Sequence, residues 1–275
     1  MTTFQDRGDQ LLRRVLALPS GELDGTYEWL GGRFGVRHGV YRVSEELQAE
    51  ADKLAPDGSR AGRLAAWPAA AIWDLAAVLL PLDDATFDAD PGGAEWSLRQ
   101  TMAHVNASQD FWTWLVSWTL QQVEAGEPAQ PRPQRAEIPE RLLVTEDVFE
   151  GTVPEARAEL RVMLAEGLTA MARLEELGAL DVQVKFNVRH DLVPVSYYPR
   201  RWGAHLREHT TQLDKTLAML RRPPTEQERL AREVSHGLAE LEAAWWRAGR
   251  PGDLDTALGP AEAALAAIEQ SVAVG

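Results

Sequence analysis

The chain contains no cysteine in 275 residues. Disulfides, thiolate metal ligands and a cysteine nucleophile are therefore excluded. Any metal must be held by histidine or carboxylate, and any thiol in the chemistry must arrive as a substrate. A long uninterrupted apolar run is also missing. The longest, Leu64 to Leu82, is broken by Pro68 and carries Asp74. An aspartate at mid-membrane costs about 2.5–3.5 kcal/mol, so this stretch reads as a buried bundle helix. The first residues, MTTFQDRGDQLLRRVL, lack the apolar centre of an export signal, and the expected location is cytoplasmic. Strong basic clusters are absent: Arg200-Arg201 and Arg221-Arg222 are short pairs in a chain of formal net charge −14. Such an acidic surface repels phosphate backbones and anionic lipid, so neither nucleic acid nor membrane is an expected partner. Internal repeats and low-complexity tracts are lacking too.

What remains is rich in core-forming residues: 45% are hydrophobic and ten are tryptophan. Nearly every strong period is helical. Ser97 and Gln100 form an S-x-x-Q capping box ahead of a stripe with His104, Phe111, Leu115 and Trp118, and Ser108 lies on the same line. That helix ends near Gly126, before Pro128, Pro131 and Pro133. A second starts around Pro154, carries Leu160, Leu164, Leu168, Met171 and Leu174, and stops before Gly178. A third runs from about Arg201 to Leu220, and a fourth, roughly Gly62 to Leu80, precedes the Ser97 helix. Four such helices predict an all-α four-helix bundle over residues 62–222. Residues 1–61 form an N-terminal extension with short helices near Asp9–Leu18 and Val43–Leu54. Residues 223–275 form a C-terminal one. There a Thr225/Glu228 capping box opens a helix with Leu230, Val234, Leu238, Leu241 and Trp245 on one face, and a last short helix starts at Pro260. Both extensions are expected to pack on the bundle, because their stripes need burial. Residues 182–198 alternate weakly and predict a short hairpin or an ordered loop.

His205 and His209 stand one turn apart on the stripe Trp202, His205, Leu206, His209, Leu213, Leu217. Imidazoles at i and i+4 point the same way, and His104 points into the bundle from another helix. Several buried imidazoles are costly unless an ion satisfies them; zinc would do so with bonds of about 2.0–2.1 Å and an open fourth position. Spacing alone does not bring His104 to face the pair. Thr101, Ser108 and Gln212 fall near the same faces as pocket-lining candidates. Glu208 reads either as a general base or partner of the histidines, or as a solvated flank residue. His38, His190 and His236 read as surface or structural, and the tryptophans as core.

The stretch Arg201-Trp202-Gly203-Ala204-His205-Leu206-Arg207-Glu208-His209-Thr210-Thr211-Gln212-Leu213 resembles the last bundle helix of the DinB-like family. That family includes the YfiT-like proteins and thiol-dependent S-transferases and isomerases. The segment Glu95-Trp96-Ser97-Leu98-Arg99-Gln100-Thr101-Met102-Ala103-His104 resembles the start of the family's second helix. The resemblance covers about residues 62–222. It implies a left-handed bundle with one divalent metal ion held by His104, His205 and His209. It also implies, as in the family's enzymes, activation of a low-molecular-weight thiol at the metal for transfer to, or isomerisation of, a small electrophile; in that reaction Glu208, by its place beside the His205 face, is the candidate proton acceptor. Zinc or nickel is the expected ion, although histidine also suits iron and copper. The expected partner is a small molecule, and a homodimer is compatible with the reading. A non-catalytic metal- or ligand-binding stress-response bundle and a hydrolase using metal-bound water are the alternatives. His205-Leu206-Arg207-Glu208-His209 also matches H-x-x-E-H, the inverted zinc-peptidase signature. Such peptidases are larger α+β proteins with a further acidic ligand well downstream, so this reading is disfavoured.

Overall fold

The computed structural model describes residues 3–29, 31–54, 60–127, 132–143, 149–185, 192–249 and 253–273. In chain order the elements are α1 (Phe4–Leu16), β1 (Thr26–Trp29), β2 (Gly32–Gly35), α2 (Val36–Leu54), α3 (Arg60–Leu79), α4 (Asp84–Asp88) and α5 (Leu98–Glu124). There follow α6 (Val153–Glu176), β3 (Gln183–Lys185), β4 (Leu192–Pro194), α7 (Tyr198–Met219), α8 (Glu226–Arg247) and α9 (Leu254–Val272). The protein is all-α: among the described residues the only sheets are the two-stranded antiparallel pairs β1–β2 and β3–β4. No helix of the described residues is long and apolar enough to cross a membrane. His190, Pro128 and Pro131 lie outside the described residues.

The chain divides into two compact units. One comprises Arg60–Ile72 and Leu82–Arg221, so it holds the first part of α3 together with α4, α5, α6, α7 and the β3–β4 hairpin. Two of its long helices start where a side chain satisfies the first free amides. Ser97 caps α5 and Thr152 caps α6, each in a reciprocal capping box. Pro154 therefore stands at the second helical position of α6, where its missing N–H costs nothing. The core joins Leu64 of α3, Trp112, Leu115 and Val116 of α5, Met171 and Leu174 of α6, Val184 of β3, and Tyr198 and Trp202 of α7. Close approach is built in at Gly167: a Cβ there would come within 2.2 Å of the Trp202 ring, so only a bare backbone admits the indole. The 182–198 segment contains a hairpin with Val184 opposite Val193.

The other unit comprises Met1–Ser59, Trp73–Pro81 and Arg222–Gly275. Here α2 packs on α8 and α9, and α1 on α8. Trp73 is fully buried and donates from Nε1 to Glu242 at 2.7 Å. Asp74, the charge in the long apolar run, receives Arg232 Nε at 2.9 Å, with His236 Nε2 at 3.7 Å. Three local features differ from the sequence expectation. The helix α2 starts at Val36, directly after a β1–β2 hairpin that four-residue strands were too short to announce. The helix α1 starts at Phe4, capped by Thr3. The helix α9 starts at Leu254, where Asp253 accepts from the Asp255 amide, and Pro260 lies inside it.

Candidate metal centre

The position of His104 is set from both sides. The capping box fixes the start of α5: Ser97 Oγ accepts from Gln100 N at 3.2 Å, and Gln100 Oε1 accepts from Ser97 N at 2.9 Å. The residues just before it are tied to α7, where Thr216 Oγ1 donates to the Trp96 carbonyl at 3.4 Å and Lys215 pairs with Glu95 at 2.6 Å. These contacts hold the first turns of α5 against α7. Leu98 and Met102 on one helix and Leu206 and Leu213 on the other are fully buried.

Against that frame the three imidazoles meet. His104 Nε2 lies 3.2 Å from His205 Nε2, and His209 Nε2 lies 3.0 Å from His205 Nε2. The rings are steeply tilted, by 54°, 66° and 74° pairwise. One ligand nitrogen from each falls within 4.8 Å of the other two. Four-coordinate zinc with bonds of about 2.0–2.1 Å places its ligand atoms about 3.3 Å apart, and the His104–His205 and His205–His209 separations are within a few tenths of an ångström of that edge. His209 Nδ1 lies 2.9 Å from Gln212 Oε1. With the amide oxygen accepting, Nδ1 carries the proton and Nε2 keeps a lone pair aimed at the other rings. Converging lone pairs repel one another, and a shared cation removes that repulsion. The donor set therefore fits a divalent ion.

The electrostatics point the same way. His205 and His209 are buried, at 5% and 6% exposure, while His104 is half-buried. Burial, followed by the charges of His209, His104 and Arg201, pushes His205 down to about 3. Burial also lowers His209, against the opposing hydrogen bond to Gln212 and the charge of Glu208. Both therefore stay neutral, the form that binds metal. The Trp112 ring stands perpendicular to His205 at 4.8 Å, and Arg201 Cζ lies 5.6 Å over Trp112. On the other side Trp96, 41% exposed, leans on His104 at 5.4 Å. His104 and Trp96 thus reach solvent, whereas His205, His209 and Trp112 are buried.

The other sequence candidates are placed as follows. Gln212 joins the site through His209. Glu208 is exposed and hydrogen-bonds to neither histidine among the described residues. Thr101 is fully buried, but its hydroxyl donates back to the Ser97 carbonyl at 3.0 Å. Ser108 is half-buried, with no described hydrogen bond to the histidines. Trp96, Trp112 and Arg201 were not singled out by sequence reasoning as parts of the site. For Arg201 a signal existed: with His205 and His209 it forms a ladder of four-residue steps along one face of α7.

These features define a helical-bundle protein with a three-histidine cluster between two of its helices. A family model, the DinB superfamily, matches residues 70–213, more than half of the chain. The protein belongs to the DinB superfamily. No curated protein and no solved structure matches this chain.

Proposed function

We propose that this protein is a metal-dependent enzyme that activates a low-molecular-weight thiol for transfer to, or isomerisation of, a small electrophile. The observation that carries the reading is the convergence of His104, His205 and His209, with His104 only half-buried. A divalent ion held there supplies the positive charge that makes a thiol ionise near neutral pH. The chain's own residues supply the rest. Gln212 holds His209 in the tautomer that presents Nε2. Trp112 covers His205 and excludes water from that side. Arg201, whose positive charge helps keep His205 and His209 in the neutral form that binds a metal, also favours a developing anion nearby. Trp96 offers an exposed aromatic face at the entrance for an apolar substrate. Glu208, exposed one turn from the Ala204 position and acting on His209 only through its charge, is the proton acceptor we assign at the rim. The absence of cysteine means that the only sulfur nucleophile is the one that diffuses in.

The test begins with metal analysis of protein prepared without a histidine tag. Metal-loaded protein is then assayed with cysteine, glutathione and other small thiols against a panel of electrophiles. Turnover that depends on metal and vanishes in His209→Ala, with the helical content retained, supports the reading. Full metal occupancy with no thiol consumption across the panel would overturn the catalytic part. In active enzyme, Glu208→Gln lowers kcat while leaving metal content unchanged if the carboxylate takes the proton.

A further inference from the structure

A cavity of about 540 Å³ is lined by Arg60, Arg63, Leu64, Trp67 and Arg200. Its volume falls in the range that accommodates small organic molecules. Arg60, Arg63, Leu64 and Trp67 are spaced i, i+3, i+4 and i+7, one face of α3. Arg200, Gly203 and Arg207 make the corresponding stripe on α7. At 100° per residue that stripe lies on roughly the opposite flank of α7 from Arg201, His205 and His209. The cavity is therefore separate from the histidine cluster.

Trp67 is held in a defined place although it is 49% exposed. Its indole sits on the bare backbone of Gly203, where a Cβ would come within 1.5 Å of the ring. Arg207 Cζ lies 5.0 Å over the ring, a cation–π contact. Arg60 is engaged by Asp181 at 2.7 Å through two nitrogens, and the Arg60 and Ala61 amides are capped by Glu175. Neither Arg200 nor Arg207 makes an ion pair among the described residues. Elsewhere in this acidic chain, arginines such as Arg7, Arg14, Arg99, Arg141, Arg173 and Arg232 are each met by a carboxylate. The exposed guanidinium groups of Arg200 and Arg207, beside a fixed aromatic ring in a molecule of formal net charge −14, are open to an anion.

We propose that this cavity binds a small organic oxyanion, a phosphate or carboxylate carried on a flat apolar body. The guanidinium forks of Arg200 and its neighbours take the oxyanion by charge-assisted, two-point hydrogen bonds. Leu64 and Trp67 receive the body. The site works without the histidine cluster, so it stands whether or not the thiol chemistry does.

The experiment is calorimetric titration of the full chain at low ionic strength with phenyl phosphate and benzoate, against inorganic phosphate and neutral phenol. Saturable one-to-one binding of phenyl phosphate or benzoate, tighter than inorganic phosphate and absent for phenol, is expected. The double variant Arg200→Gln, Arg207→Gln changes exposed side chains only and weakens that binding about tenfold or more. His209→Ala leaves it unchanged. Failure of both aromatic anions to saturate, or equal affinity in the double variant, would overturn the site. Equal affinity for inorganic phosphate and phenyl phosphate would remove the apolar body from the proposal.

Discussion

Gln212 shows how a single amide tunes a buried imidazole. It sits three residues after His209 on the same helix and fixes which ring nitrogen bears the proton. Outer partners of metal-bound histidines are worth about 10–100-fold in metal affinity. Gln212→Ala is expected to weaken divalent-metal binding by about that factor, read by competition with a chromophoric chelator, while Gln212→Glu retains it. Unchanged affinity in the alanine variant would show that His209 needs no such hold. A second residue-scale prediction concerns Asp74. Burial would raise its carboxyl, but pairing with His236 and hydrogen bonds from Arg232 overcome this and bring it down to about 2. A carboxyl lowered in the folded state stabilises the fold above its unfolded pKa, and that stability is lost as pH falls through the folded value. The drop from 3.8 to about 2 corresponds to about 2 kcal/mol, present above pH 4 and fading toward pH 2. His236 is raised, chiefly by its pairing with Asp74, so its share is complete below pH 6.5 and declines as pH rises beyond that. Urea midpoints of the wild type should fall off on both sides of this window, and those of Asp74→Asn should be flatter on both. Parallel profiles for the two proteins would sink the assignment.

Helix boundaries were readable wherever a capping side chain announced them. Ser97 with Gln100 and Thr225 with Glu228 mark the starts of α5 and α8 in the sequence, and the structure has both boxes. The box at Thr152 was hidden by the more conspicuous Pro154, and Asp253 by Pro260, because proline is a strong signal at a first helical turn but also tolerated elsewhere. The β1–β2 hairpin gave no usable period: four residues per strand, two of them glycine in β2, are too few to alternate. The i, i+4 pair on α7 was legible because one helix carries both rings. At this scale Gly167 makes a sharp prediction. Gly167→Ala drives a methyl into Trp202, and overpacking of this kind costs about 1–3 kcal/mol. That outweighs the gain in helix propensity of about 1 kcal/mol. A lower thermal midpoint with unchanged helicity is expected; a higher one would mean that the Trp202 ring yields without cost.

For the molecule as a whole, the metal is the largest available increment in stability. A ligand that binds only the folded state at about a thousand times its Kd adds about 4 kcal/mol. Added zinc or nickel should raise the melting temperature of chelator-stripped wild type and leave His205→Ala, His209→Ala unmoved. An equal rise in both would place the ion elsewhere. The division into units is a second whole-molecule property that periodicity did not disclose. The helix α3 reads as one continuous stripe, yet its residues from Trp73 onward belong with the terminal segments, where Trp73 meets Glu242 and Asp74 meets Arg232. Those partners are more than 150 residues away along the chain, beyond the reach of any local pattern.

What the chain determines by itself is local. Capping residues, apolar spacing and the empty cysteine column specify helices, their inward faces and a histidine pair that must share one direction, because backbone geometry within a helix is set over a few residues. The convergence of His104 on that pair, the tautomer enforced by Gln212, and the arginines gathered around Trp67 belong to the tertiary structure. Each requires two helices to pack at one particular register, and that register is chosen by the fit of buried side chains such as Trp202 on Gly167 rather than by either helix alone.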